Sequence, residues 1–315
     1  PQDFPNLGLP RDVRLWRADH VLAWLNHEGV EVPGSLVLGG SSARSAVAHE
    51  GTNPCAGTAA DYERLAARAL ADGFPGSSAG GEQPKFLATR SGTPVMVKFS
   101  PAAPSPLAER VADLLRAEAL ALLLLAEQGF AVAVARVVEG PERLFLEVER
   151  FDRLGTRGRS GMVSLETLDA QFVGRGRDWT DTTRRLAAQD LVTARSAAQA
   201  RWLDRFGAFI GNTDRHLGNL SYEFEGGRVG ALAPVYDMLP MCFYPRDGEL
   251  VERSLPLPEL TADDGDSWRE AHGAALRFWS TIAADPRYSA NMRRIASESG
   301  AALLGLADVV ARLPA

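Results

Sequence analysis

The sequence predicts an α+β protein of two lobes, the first rich in strands and the second mainly helical. Three observations carry that expectation. At 315 residues the chain exceeds one typical domain and is long enough for two lobes. Short apolar runs bounded by Gly, Pro and Ser turn signals recur between 85 and 148. From 181 onward, longer stretches of helical apolar period replace them. With 45% hydrophobic and 23% charged residues the composition is that of a packed chain. The balance of 34 basic against 40 acidic residues, net −6, predicts no bulk affinity for nucleic acid, and direct DNA binding by this chain is not expected. Cys55 and Cys242 are too few for a disulfide or zinc framework and read as reduced thiols of a cytoplasmic protein. No run reaches a membrane span; the richest, 117–126, contains Glu118. The chain opens on Pro1 rather than Met, from which a removed upstream segment is expected, and no signal peptide opens it.

In chain order, 1–56 reads as an N-terminal extension packed on the first lobe. Within it, 18–28 (ADHVLAWLNHE) has a helical apolar face, with Asp19 as a possible cap and Gly29 as its end. A short strand is expected at 36–38, followed by a Gly/Ser-rich run at 39–45. The first lobe, 57–152, starts with Thr58 and Asp61 in a T-x-x-D helix start, then Tyr62, Leu65, Ala66 and Ala69 on one face. Strands follow at 85–89 and 94–99. Ser105-Pro106 then caps a long helix ending at Gly129. Two more strands, 130–138 and 144–148, lead to Glu149-Arg150-Phe151-Asp152-Arg153. In the second lobe, 153–315, helices are expected at 181–200, 201–210 and through 259–315. Arg175, Arg177, Arg184 and Arg185 read as a solvated basic face, with an acidic substrate or tRNA as the alternative partner.

Two stretches carry chemistry. The first is 76–86, GSSAGGEQPKF, where small residues let backbone N–H groups approach phosphates and Lys85 adds positive charge. It is followed by Lys98 on the next strand, the arrangement with which kinases cover and grip ATP. Glu118, bracketed by Leu114, Leu115 and Leu122, needs a cation beside a buried face. Lys98 is its economical partner, with Glu109 and Asp113 as competing carboxylates. The second stretch is 209–237, where Asp214 is followed five residues on by Asn219 and, after a hairpin, by Asp237. A kinase catalytic loop has a base Asp and a metal-binding Asn at that spacing and a second metal-binding Asp beyond. No His-Arg pair precedes Asp214, and the bland alternative makes Asn212 and Asp214 a helix-ending turn.

Four segments together carry a family resemblance. They are Ser78-Ala79-Gly80-Gly81-Glu82-Gln83-Pro84-Lys85, Glu149-Arg150-Phe151-Asp152-Arg153, Gly211-Asn212-Thr213-Asp214-Arg215-His216 with Asn219, and Pro234-Val235-Tyr236-Asp237-Met238-Leu239. The chain resembles, over about 70–300, the HipA family of serine/threonine kinases, toxins of bacterial toxin–antitoxin pairs. Residues 12–56 more loosely resemble the segment that precedes the kinase core in members with an N-terminal winged helix. The resemblance implies a bilobed, protein-kinase-like α+β fold with ATP and Mg2+ as cofactors. It makes Asp214 the catalytic base, Asn219 and Asp237 the magnesium ligands, and Lys98 the lysine on the phosphates. Backbone of Glu149 and Phe151 would meet adenine, with Asp152 and Tyr236 near the ribose. It further implies autophosphorylation of Ser78, an antitoxin partner, and a protein substrate of the aminoacyl-tRNA synthetase kind. Gly80 and Glu82 depart from the family pattern, and Glu82 adds a negative charge beside the phosphates. The rivals are a small-molecule kinase and a non-catalytic pseudokinase.

Overall fold

The structure is a computed structural model that describes residues 7–10, 12–71 and 83–314. The run 77–82, and with it the expectations placed on Ser78, Ala79, Gly80, Gly81 and Glu82, lies outside the described residues. Its order begins with helices α1 (Ala18–Glu28) and α2 (Gly40–Ala48), strand β1 (Pro54–Cys55) and helix α3 (Ala59–Ala71). Strands β2 (Lys85–Arg90) and β3 (Thr93–Phe99), helix α4 (Pro106–Glu127) and strands β4 (Ala135–Glu139) and β5 (Leu144–Glu149) complete the first lobe. The helix at Ala18–Glu28 has the expected bounds, although Arg17 rather than Asp19 is its cap. The strand expected at 36–38 does not form. Instead Gly39, at φ +80°, starts α2, and a Cβ there would fall 1.4 Å from Asn26 Oδ1.

The sheet runs β1-β2-β3-β5-β4, with β1 parallel to β2 and the other pairs antiparallel. Alternation sends successive side chains to opposite faces. Phe86, Val95, Val97, Phe99 and Phe145 meet Tyr62, Leu65 and Ala66 of α3, which starts on the Thr58–Asp61 capping exchange. On the other face, Leu144 and Leu146 meet Val111 and Leu115 of α4. That helix starts where Ser105 Oγ accepts Ala108 N–H at 3.0 Å, with Pro106 in its first turn. Its far side, Leu114, Ala117, Ala121, Leu122 and Leu125, is buried in the core of the second lobe. One helix thus belongs to both cores and fixes the lobes against each other.

Beyond the crossing come a ribbon of β6 (Arg153–Leu154) and β7 (Gly158–Arg159), strand β8 (Met162–Ser164) and helix α5 (Leu165–Leu168), which runs into a π turn at Asp169–Val173. Helices α6 (Trp179–Ala187) and α7 (Ala194–Phe209) follow, then β9 (Ser221–Glu225) and β10 (Arg228–Leu232), which pair with β8 in the order β10-β9-β8. Helices α8 (Gly265–Ala284), α9 (Ala290–Leu304) and α10 (Ala307–Ala311) close the chain. The helix expected across 181–200 is broken: Asp190 sits at φ +58° and Thr193 caps α7 by accepting Ser196 N–H. Trp202, Phe206, Phe209, Phe278 and Trp279 form the aromatic centre of this lobe. Among the described residues no helix is long and apolar enough to cross a membrane.

Candidate active site

The cleft between the lobes gathers its polar groups from four elements. From β3, Lys98 projects onto the α4 face, its Nζ 2.7 and 2.9 Å from the two oxygens of Glu118 and also bonded to Asp237 Oδ1. The lysine side chain is 8% exposed and the glutamate 1%, so the carboxylates beside it are what keep this ammonium charged in a buried place. Burial alone would lower the lysine's pKa, but Asp237 and Glu118 outweigh it and leave it raised. Glu118 is pushed up by burial, with Lys98 opposing. Asp237 is also pushed up by burial, and Lys98 beside it turns the balance downward. Lys85 pairs with Lys98 across β2 and β3, and its charge is felt by both carboxylates. Glu109 and Asp113, the competing carboxylates, are not on this lysine; Asp113 accepts Ser289 N–H at 3.1 Å.

The second lobe brings two loops to the same place. After α7, Gly211 turns the chain at φ +76°, where a Cβ would come within 2.5 Å of Cys242 Sγ. Asn212 follows, 1% exposed, and its Oδ1 accepts Asp214 N–H at 3.1 Å. Asn219 Nδ2 donates to Asp214 O at 2.9 Å and to Asp214 Oδ2 at 3.3 Å, so the expected base and the expected ligand share one loop. His216 Nδ1 accepts Gly218 N–H at 3.0 Å, and its own carbonyl accepts the Trp179 indole at 2.9 Å. The other loop is tied into the first lobe. Val235 N–H donates to Ala131 O, and Ala133 N–H to Val235 O, both at 2.9 Å. Its next residue, Tyr236, donates to Gly218 O at 2.9 Å, lies 2.8 Å from Ser221 Oγ, and is pushed up to about 12 by burial. Asp237 then adopts φ +53°.

The crossing segment holds the remaining candidates. Glu149 N–H is taken by Val134 O at 2.8 Å, and its carboxylate pairs with Arg90 at 2.7 Å. Phe151 lies against Tyr236 with ring centres 5.9 Å apart. Asp152, expected near the ribose, is held by its own segment and the N-terminal one. Its carboxylate is 7% exposed and accepts from Arg150, from Arg153 at 2.6 Å and from Gly34 N–H at 2.9 Å. Burial pushes its pKa up, and the two guanidiniums outweigh burial to hold it low. Arg150 also reaches Glu31 at 2.6 Å, so the N-terminal segment is strapped to the crossing. Arg177, Arg184 and Arg185 converge on the buried carboxylate of Asp181, at 3.8, 2.6 and 3.1 Å.

The donor set in the cleft is oxygen: the Asn219 amide, the Asp237 carboxylate and the nearby Asp214 carboxylate. Such hard ligands suit Mg2+, which takes one or two protein groups and fills its other positions from phosphates and water. The sequence reading gives Asn212 only a turn role and does not find Trp179 or Ser221. Their partners are distant in sequence, so no local spacing points to them.

An interlobe cleft with a helix-paired strand lysine and this loop pair defines the class: an α+β protein of kinase-like fold. The family model of the HipA-like C-terminal domain matches residues 77–305. Toxin YjjJ of Escherichia coli (strain K12) is 38% identical, over 98% of this chain and 71% of its own length. The HipA structure from Shewanella oneidensis MR-1, solved as a toxin–antitoxin complex with HipB and its operator DNA, superposes with a TM-score of 0.56. It is 18% identical and covers 98% of this chain and 86% of its own. The chain belongs to the HipA-like family.

Proposed function

We propose that this protein is a serine/threonine protein kinase of the HipA toxin type that uses ATP and Mg2+. The observation that carries the reading is the meeting of Lys98, Glu118 and Asp237 across the lobes, beside the Asp214–Asn219 loop. In this reading Lys98, held by Glu118, binds nucleotide phosphates, while Asn219 and Asp237 hold the metal. Magnesium, when bound, supplies neutralisation of charge on the β- and γ-phosphates. Asp214 orients the substrate hydroxyl and takes its proton. Backbone of Glu149 and Phe151 borders adenine and Tyr236 borders the ribose; Asp152 holds the crossing instead. An antitoxin partner follows from the likeness to a HipA solved with HipB, and a synthetase-type protein substrate from the family resemblance.

The deciding experiment is thiophosphate transfer from an ATP analogue into a lysate, with the labelled protein identified by mass spectrometry. Asp214→Asn should lower transfer by roughly 10²–10⁴-fold while leaving nucleotide binding near the parent value. Transfer at the parent rate would remove Asp214 from its role. Label appearing only on small molecules favours a small-molecule kinase, and absence of Mg-ATP binding favours a pseudokinase.

Regulation by Ser78 belongs to the same reading. A phosphate there adds about −1.5 to −2 charges at pH 7 where ATP phosphates must bind, so the modified form should lose most of its ATP affinity. Intact-mass measurement and peptide mapping after incubation with Mg-ATP, with Asp214→Asn as the silent control, test this. No phosphate on Ser77 or Ser78, or undiminished ATP binding by the modified form, rejects it.

A further inference from the structure

The two loops that carry Asp214 and Asp237 come from different stretches of chain, these residues lying 23 positions apart in sequence. Besides the Tyr236 hydroxyl on Gly218 O, a buried side chain joins them next to Asp214 and Asp237 themselves. Asn212 Oδ1 accepts the Asp214 N–H at 3.1 Å, and Asn212 Nδ2 donates to the Asp237 carbonyl at 3.3 Å. The amide orientation is set by its partners: an N–H needs an acceptor on one side, a carbonyl needs a donor on the other. Asn212 is itself fixed. Its N–H donates to Gly207 O at 2.8 Å, and its carbonyl accepts from Arg215, which Asp204 anchors at 2.9 Å. Asp237, meanwhile, is a non-glycine residue at φ +53°, a conformation that persists where surrounding contacts enforce it.

We propose that Asn212 is a positioning residue that couples the Asp214 loop to the Asp237 loop. It sits two residues before Asp214, where a kinase loop of the His-Arg-Asp type has its histidine and this chain has none. An asparagine suits the task because its short planar amide supplies both an acceptor and a donor; an aspartate keeps only the acceptor and a leucine keeps neither. The coupling means that the base and the metal-binding carboxylate are set by one hydrogen-bonded unit. A buried group left unpaired on either side loosens the loop it held. This rests on the kinase reading for its consequence in catalysis, but the coupling itself is a property of the chain without ligand.

Hydrogen exchange of the ligand-free protein tests it, with Asn212→Asp and Asn212→Leu beside the parent. In Asn212→Leu, peptides covering 213–219 and 235–239 should both exchange about tenfold faster or more, while those of α8 stay at the parent rate. In Asn212→Asp, only 235–239 should speed up, because the acceptor for Asp214 N–H remains. Parent-like protection of 235–239 in both variants overturns the coupling, and so does uniform loosening that reaches α8. Calorimetry then reads the link to function. The magnesium-dependent gain in ATP affinity should fall roughly tenfold in Asn212→Leu, by loss of about one net hydrogen bond. That fall should vanish when Asp237→Ala is already present, since both changes act on one unit. A parent protein with no such gain defeats the kinase reading, while the exchange result still decides the coupling.

Discussion

The two faces of the five-stranded sheet each bury a carboxylate, and they satisfy it in opposite ways. On the α4 face, Glu118 at 1% exposure meets one lysine, and that lysine also holds Asp237 of the other lobe. On the α3 face, Glu147 at 2% exposure is met by Tyr62, Arg90 and Arg136, all of its own lobe. Their neighbours in register, Lys98 with Leu146 and Val97 with Glu147, show how two adjacent ladder positions serve separate faces. The α3 arrangement is redundant and closed: remove one partner and two remain. The α4 arrangement is shared and open, with one ammonium spanning two lobes at the edge of the cleft. Buried ion pairs are poor stabilisers once desolvation is counted. A pair that serves only the fold is therefore best placed as Glu147 is. A lysine divided between lobes is better explained by what enters the cleft.

The largest expected effect comes from breaking the shared side. Lys98→Met leaves Glu118 buried with no cation, which should cost about 3–5 kcal/mol of stability and abolish magnesium-dependent ATP binding. The pH dependence has a definite sign. Burial already raises the Glu118 pKa, and without Lys98 only the Lys85 charge, the smallest of its causes, still opposes that shift. Its folded form then holds a proton that the unfolded chain releases near pH 4.3, so folded binds more protons than unfolded above that value. The variant's stability should fall as pH rises from 5 toward 8. Urea unfolding at several pH values measures this. A variant that unfolds at the parent midpoint at every pH would mean that Lys98 does not secure Glu118.

What was legible in the sequence follows the same division between local and shared interactions. The helix at Ala18–Glu28 and the start at Ser105-Pro106 could be read because punctuation and apolar period are local. The Asp214, Asn219 and Asp237 spacings could be read because those side chains lie on loops of fixed length. The Lys98–Glu118 pair could be proposed because a carboxylate among leucines demands a cation. The break between α6 and α7 was hidden by an Ala-rich run with strong helix propensity, although Thr193 is a good cap. The 36–38 run looked like a strand, but no neighbouring strand pairs with it and the Gly39 turn feeds a helix. The resemblance places Asp152 near the ribose but gives no sign of the two arginines and Gly34 that enclose its carboxylate; the Gly34 partner is 118 residues away. The Glu147 cluster leaves no local signal in the sequence, since Tyr62 lies 85 residues from Glu147.

The smallest effect should come from the closed side, and it is the sharper test of the comparison. Tyr62 is fully buried, with ring centres 5.8 Å from Phe86 and 5.7 Å from Phe145. Burial, and then its hydrogen bond to Glu147, push its hydroxyl pKa well above the usual range, so it is a protonated donor at any physiological pH. Tyr62→Phe keeps the ring and its packing and deletes only that donor. Arg90 Nε at 2.9 Å and the Arg136 guanidinium still face the carboxylate. The loss should therefore be that of one hydrogen bond to a charged group, about 1.5–3 kcal/mol and toward the lower end, because the acceptor is not left bare. Magnesium-dependent ATP binding should stay within twofold of the parent, because the deleted hydroxyl bonds Glu147 and none of Lys98, Asp214, Asn219 or Asp237. Unfolding midpoints and calorimetry on the same preparation give both numbers. If Tyr62→Phe destabilised as much as Lys98→Met, the α3 face would not be redundant. If it weakened nucleotide binding as much, the two faces would not be separate in function.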